Sequence, residues 1–461
     1  MKADTIPRPE YPRPQFVRES WINLNGVWDF EIDNGKSGAE RGLIEAPSLS
    51  GKITVPFCPE SKLSGVGITD FMECVWYKRT FTVPNEWLRP GRVTYLHIGA
   101  CDWRTTVWIN GQLVGEHIGG YSSFYFDITP HLKTGENIVT IKVLDELRRE
   151  NQAGGKQSKR YHSHGCSYMR TTGIWQTVWL ENVPASHIIN IKLTPNLSRS
   201  SLFIEAECSP NTDGLLITAK ASLDGRICGE TSTKVTGRYA IMELPLDDVR
   251  LWEPGSPVLY DLLLTLDGGA HEADTVKSYF GMRELSYRDG RFLLNGKTIF
   301  LRLILDQGFY PDGIYTAPSD EELRADIIRS LDMGFNGARL HQKAFEPRFL
   351  YHCDLLGYLV WGEYGDWGLD ISRADAWGAI LPEWLDILRR DFSHPSIVGW
   401  CPLNETQQNQ DPRLVHMLCS ITRAVDGTRP VIDTSGWHHV SGAGDIIDAH
   451  DYEQNPEIFA E

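Results

Sequence analysis

HPSIVGWCPLNET, residues 394–406, leaves a polar turn, runs through an apolar segment from Ile397 to Leu403, and stops on an adjacent amide and carboxylate, Asn404 and Glu405. A short apolar run between turn signals reads as a strand buried on both faces, the kind a parallel sheet carries. The same unit recurs on both sides. IFLRLILD is strand-like and precedes PSDEELRADIIRSLDMG, where Ser319 caps a helix, Glu322 follows three residues on, and Gly334 closes it. FNGARLH and YLVWGE read as strands around the helix EPRFLYHCDLLG. A helix at AWGAILPEWLDILRRDF leads into the opening stretch, and DPRLVHMLCSITRAVDG is followed by the strands PVIDTSG and IIDAHDY. Six strands thus begin near residues 299, 335, 358, 397, 430 and 446. Alternating β and α units of this kind predict a (β/α)8 TIM barrel. Residues 282–461 are about 180 where a full barrel takes roughly 250, so the barrel is expected to be incomplete, with about six strands.

Upstream the rhythm is different. Residues 1–183 show short alternating segments such as GVWDFEID, VWYKRTFTV, VTYLHIGA and NIVTIKVLD, separated by Gly, Pro and Asn turns. Asn110-Gly111 within TTVWINGQLVGEH is a strong two-residue hairpin signal. Many strands without intervening helices predict a jelly-roll β-sandwich. Residues 184–281, with INIKLTPNL, LLITAKASL and YDLLLTL, predict an immunoglobulin-like β-sandwich, read as a spacer without chemistry of its own.

The 461 residues carry a net charge of −16, which argues against a nucleic-acid or anionic-membrane partner. No apolar run approaches the roughly 18 residues needed to span a bilayer. The start, MKADTIPRPEYPRPQF, has Pro where a leader peptide has an apolar core, so a cytoplasmic protein is expected. The nine Cys are scattered and lack a C-x-x-C pair, which predicts reduced, mostly buried thiols.

In (β/α)8 barrels chemistry sits at the C-terminal ends of the strands. Here those ends are Asp306, Arg339 with His341, Glu363, Asn404 with Glu405, Asp433, and His450 with Asp451 and Tyr452. A polar residue closes every apolar strand, which predicts a catalytic or sugar-binding rim. A carboxyl at the mouth of an apolar strand is partly desolvated, so the Glu405 pKa is expected to be raised, suiting it to donate a proton. Asn404 can hydrogen-bond a sugar hydroxyl beside the reacting carbon. Trp361, Trp367 and Trp400 are candidates to stack on a sugar, although most of the 15 Trp belong to cores.

HPSIVGWCPLNET resembles the acid/base motif of family 2 glycoside hydrolases, the group with β-galactosidases, β-glucuronidases and β-mannosidases. GIWQTVWLE, from Gly173, resembles the close of that family's sugar-binding jelly roll. FLLNGKTIFLRLILD is similar to its entry to the barrel and DMGFNGARLH to its second barrel strand, so the resemblance runs through the whole chain in order. It implies a retaining exo-β-glycosidase acting on terminal β-glycosides, β-galactosides before β-glucuronides, with Glu405 as acid/base. It also implies a Glu nucleophile on a seventh strand, which is expected beyond residue 461 and would leave this chain crippled. Glu363-Tyr364 mimics the nucleophile motif but sits on the third strand, so Glu363 is expected as a pocket-wall residue; Asp451 and Glu453 are weaker candidates.

Asp306, Arg339, His341, His450 and Tyr452 complete the expected pocket, with Arg339 either a sugar contact or the cation that orients a catalytic carboxylate. The loop RYHSHGCSYMRTTGIW lacks the acidic residue that several members send into the sugar site, and His162, His164 or Arg170 could reach it instead. Magnesium assists some β-galactosidases of the family; no Glu/His cluster here clearly reproduces such a site, and no cofactor is expected. The open barrel edges predict self-association, a homo-oligomer. The rival reading is a non-catalytic carbohydrate-binding or scaffold protein.

Overall fold

A computed structural model of the chain describes residues 6–148, 151–269 and 272–459. Residues 1–5, where the leader reading begins, and 460–461, where the barrel segment ends, lie outside the described residues.

The first unit is two antiparallel sheets face to face. One has four strands in the order Trp21–Asn23, Val178–Pro184, Arg92–Ile98, Phe124–Asp127. The other has six, Gly51–Val55, Gly26–Ile32, Cys74–Thr82, Glu136–Leu144, Arg104–Ile109 and Gln112–Ile118. Alternation in the sequence becomes sidedness: in Glu136–Leu144, Val139, Ile141 and Val143 face a core shared with Trp28, Tyr77, Leu96 and Leu180. Asn110 and Gly111 take φ of 50° and 81° and join Ile109 to Gln112, the left-handed pair a two-residue hairpin requires.

The second unit packs a three-stranded sheet on a four-stranded one, the seven strands of an immunoglobulin-like sandwich, around Ile204, Ile217, Leu244, Leu264 and Val276. A small antiparallel meander, Leu285–Arg288, Arg291–Leu294 and Lys297–Thr298, leads out of it.

Four parallel strands follow in chain order: Leu303–Asp306, Gly337–Leu340, Leu359–Glu363 and Ile397–Cys401. Helices α1 (Asp320–Asp332), α2 (Pro347–Leu356) and α3 (Ala376–Asp391) connect them, and α4 (Pro412–Val425) comes after the fourth. Ser319 caps α1 by accepting from the Glu322 amide at 3.3 Å, as its spacing predicts. The first strand begins at Leu303 rather than near 299, because Ile299 still bonds back to Phe292 and the Arg302 amide donates to the Asn336 side chain. The expected strands near 430 and 446 are reduced to parallel bridges (Trp400 with Val431, Ile432 with Ile446) and the short pair Leu403–Asn404 with Thr434–Ser435. Carboxylates take over backbone amides there: Asp445 accepts from Val431, Asp433 from Val440 and Asp448 from Gly436.

Adjacent strands interlock by size. A Cβ on Gly399 would lie 2.4 Å from the Trp361 ring, and one on Gly362 would lie 2.6 Å from Trp400. Each indole fills the gap over its neighbour's glycine, so both are sheet core, 5% and 1% exposed, rather than the sugar-facing rings expected.

The N-terminal segment ties the units together. Arg18 reaches Glu181 of the first sandwich at 2.9 Å and Asp274 of the second at 2.8 Å, all three buried. Arg8 pairs with Glu346 at 2.7 Å, just ahead of α2. From α3, Glu383 accepts from the Tyr121 amide at 2.5 Å. Among the described residues no helix is long and apolar enough to cross a membrane.

Replacing Arg18 by Met leaves buried Asp274 without its cation and Glu181 to Arg13 and Tyr11, and losing one partner of a buried ion pair costs about 3–5 kcal/mol. The first urea unfolding transition of Arg18→Met should therefore shift to clearly lower denaturant. An unmoved midpoint would show that the link between the sandwiches carries no stability.

Candidate active site

The ends of the second, third and fourth parallel strands are bound to one another through Arg339. Its Nε donates to Glu363 Oε2 at 2.6 Å, Nη2 to Asn404 Oδ1 at 2.6 Å, and Nη1 to His450 Nε2 at 3.2 Å. A guanidinium has no acceptor, so His450 Nε2 carries no proton in this contact and the ring proton sits on Nδ1. That Nδ1–H lies 2.5 Å from Glu405 Oε1, and the Tyr452 hydroxyl donates to the same oxygen at 2.9 Å.

Glu405 holds a φ of 49°, the left-handed region in which a non-glycine residue is strained, and its amide donates to Ser435 O at 2.8 Å. Gln342 is held the same way at 57°, with its amide on Glu363 Oε1 at 3.0 Å and its side chain on Asp366 Oδ1. Asp366 Oδ1 also accepts from the Asn404 amide at 3.1 Å. Asp366, Gln342, Glu363, Arg339 and Asn404 thereby close a ring of hydrogen bonds beneath Glu405. A cleft of about 390 Å³ opens above it, lined by Asp366, Trp367, Asn404, Glu405, Thr406 and Trp437.

The electrostatics follow from this wiring. Burial alone would push the Glu363 carboxyl up, but Arg339 and His341, whose Nδ1 is 2.9 Å from Oε1, bring it down to about 2. Burial, with the charge of Glu363 added, pushes Asp366 up to about 8. Glu405 departs from the sequence expectation. Its partial burial does act upward, but the bonds from His450 and Tyr452 and the charge of Lys156 outweigh it, and its pKa is lowered. Desolvation at the end of an apolar strand does not raise a carboxyl when donors crowd that end.

The other expected residues are placed as follows. His341 is buried beside Glu363. Tyr452 is exposed apart from its bond to Glu405. Asp306 accepts from the Gly308 amide and is not bonded to the Arg339 network. Arg170 braces its own loop, donating to the carbonyls of Ser158 and Thr69, and His164 meets Ser158 Oγ at 3.1 Å.

What that loop brings to the site is Lys156, a residue the sequence reading passed over. Its ammonium is 3.3 Å from the centre of the Trp367 ring, and burial lowers its pKa against the pull of the surrounding acids, Glu405 among them. It pairs with no carboxylate among the described residues. Gln342 and Asp366 were also missed, although each lies within three residues of a strand-end residue that was chosen, in RLHQ and GEYGD. Among the described residues no group of three or more His, Cys, Asp or Glu is placed to hold a metal.

An unfolded aspartate loses its proton near pH 3.9, whereas folded Asp366 keeps it to about 8. The fold holds an extra proton across that window, so this contribution to stability is full below the unfolded pKa and is lost as pH rises to the folded one. Asp366→Asn, neutral throughout, should show a shallower fall of unfolding midpoint between about pH 5 and pH 8 than the parent. Parallel slopes would mean that Asp366 is ionised in the fold.

Residues 22–184 match the family model described as glycosyl hydrolases family 2, sugar binding domain, and residues 186–283 match that described as glycosyl hydrolases family 2. A β-galactosidase of Thermoanaerobacter pseudethanolicus is 26% identical over 395 residues, covering 83% of this chain and 51% of that protein. A putative β-glucuronidase of Formosa agariphila is 29% identical over 430 residues, covering 88% of this chain and 37% of its own. The crystal structure of Bacteroides uniformis β-glucuronidase superposes with a TM-score of 0.75 at 23% identity, over 93% of this chain and 54% of that one, a likeness of fold. The chain thus spans about half, or less, of the length of these relatives. Two consecutive models of one family together take up more than half of the sequence, and the protein belongs to glycosyl hydrolase family 2.

Proposed function

We propose that the protein is a retaining exo-β-glycosidase with Glu405 as proton donor, set in a (β/α)8 barrel to which residues 282–461 contribute the four parallel strands. One observation carries the reading: the arrangement at the end of the fourth strand. Glu405 is held by His450 and Tyr452. Beside it Asn404 has its oxygen fixed by Arg339, while its buried Nδ2 has no partner and is left to bond a sugar oxygen. Nine unpaired thiols, seven of them buried, support a reducing, cytoplasmic setting.

Retention needs a second carboxylate about 5–5.5 Å from the first. Glu363 does not suit that role. Its side chain is fully buried and both oxygens are occupied, one by Gln342 and one by Arg339. The nucleophile is therefore not assigned to Glu363, and without a nucleophile carboxylate neither displacement of a retaining reaction runs.

The relatives' names support both sugars, and the sequence leans to a β-galactoside. Lys156 favours the second reading, a β-glucuronide, because a nearly buried ammonium resting on an indole face is completed by a substrate carboxylate. The alternative of a non-catalytic carbohydrate-binding or scaffold protein shares the cleft and lacks turnover.

Activated aryl β-galactoside and β-glucuronide, each with and without azide, test these readings together. Turnover is expected only with azide, giving an inverted glycosyl azide, and Glu405→Gln should lower it about 10²–10⁴-fold. Lys156→Met should slow the glucuronide and spare the galactoside. Turnover without azide would place the second carboxylate inside this chain. Silence in every arm would leave the binding-protein reading.

A further inference from the structure

A second cavity, of about 320 Å³, lies where the N-terminal segment, both sandwiches and α3 meet, and it shares no lining residue with the Glu405 cleft. Its wall contains Arg13, His97, Gln176 and Trp179. The His97 and Trp179 rings stack at 4.7 Å with 5° between their planes. His97 Nε2 is 3.7 Å from Glu181 Oε2.

Three nitrogens in this wall, Trp179 Nε1, Gln176 Nε2 and Arg13 Nε, are buried without a hydrogen-bond partner. Trp179 is 3% exposed and Gln176 5%. All three can only donate. Unpaired buried donors are rare because they destabilise the fold, and three in one wall describe a place for something that brings acceptors.

The arginines lining the cavity are already paired, Arg13 with Glu181 at 3.2 Å among them. Arg238 and Arg389 both pair with Glu207, Arg390 with Asp391, and Arg348 with Asp320. Among the described residues that line it, no Arg is left without a carboxylate. Three further rings line it, Phe16 and Phe124 buried and Tyr125 exposed, among polar and aliphatic residues such as Ser123, Asn190 and Ile191. A cavity at the small end of the roughly 300–1,000 Å³ range of ligand sites, with donors on one side and rings on the other, fits a flat, uncharged, oxygen-rich molecule.

We propose that this interdomain cavity is a second, non-catalytic site for a neutral saccharide of one or two rings, with Trp179 and Gln176 donating to its oxygens. It does not depend on the assignment of Glu405. Groups that have no partner in the free protein add nothing to its stability, so removing them separates a ligand role from a structural one.

The test is titration of the full chain with methyl β-galactoside and with cellobiose, followed by ligand-observed NMR, alongside thermal melts. The double variant Trp179→Phe with Gln176→Leu should weaken saccharide binding about tenfold while its melting temperature is unchanged or raised. Glu405→Gln should leave that binding in place. Three results would overturn the proposal: binding untouched by the double variant but lost in Glu405→Gln, which puts the sugar in the catalytic cleft; a melting temperature that falls with the binding, which makes the pair structural; or no binding of either saccharide, which leaves the cavity to water.

Discussion

Arg339 is one planar cation donating to three acceptors from three separate segments, Glu363, Asn404 and His450. It is charged at every accessible pH and its fork fixes direction as well as distance. Glu363, fully buried, is tolerable because Arg339 and His341 stand beside it. Through His450 the same cation sets which ring nitrogen faces Glu405. The left-handed backbones at Gln342 and Glu405 are costly in isolation and persist because the closed ring of Arg339, Glu363, Gln342, Asp366 and Asn404 leaves them no other position.

This wiring bears on how Glu405 could act as an acid. Its pKa is lowered because two donors and a nearby ammonium favour its charged form more than partial burial disfavours it. A proton donor needs the opposite bias. In a retaining pair the bias comes from the second carboxylate, since a like charge about 5 Å away opposes ionisation of the first. On the proposed reading, the lowered pKa of Glu405 is that of one carboxylate without its partner. His450, Tyr452 and Lys156 hold the group ionised until another anion joins them, whether carboxylate or substrate.

The order of strands and helices, the α1 cap, the Asn110-Gly111 hairpin and the placing of Arg339, Asn404, Glu405 and His450 were legible in the sequence. Each depends on local spacing, and periodicity reports that directly. The misreadings have one cause. Trp361 and Trp400 looked available for sugar because a one-dimensional pattern does not show that each faces a glycine on the adjacent strand. Glu405 was expected to be raised because the apolar residues before it are visible in the sequence, while the donors that lower it arrive from residues 450 and 452 and from a loop near 156. The strands near 430 and 446 were overcounted for a related reason, with Asp433, Asp445 and Asp448 bonding to backbone that a longer ladder would need.

The loop near 156 shows why the first sandwich belongs to the site. The amides of Gly154 and Gly155 donate to Trp367 O at 2.7 and 3.0 Å, and the Asp370 amide donates to Asn151 Oδ1 at 2.7 Å. At Gly155, with φ of 53°, a Cβ would sit 2.2 Å from Gln342 O, so the loop backbone lies directly against the strained residue of the ring. Only a glycine permits that approach. Trp367 in turn donates to Asn404 O at 3.1 Å. Sandwich loop, indole and strand end therefore form one continuous support, and a strand end carrying a strained glutamate gains rigidity from a loop of the first sandwich. The N-terminal segment, through Arg8 and Arg18, fixes the sandwich that delivers this loop. In this chain the sandwiches and the parallel sheet are parts of a single positioning device, and the geometry at Glu405 is a property of all of them together.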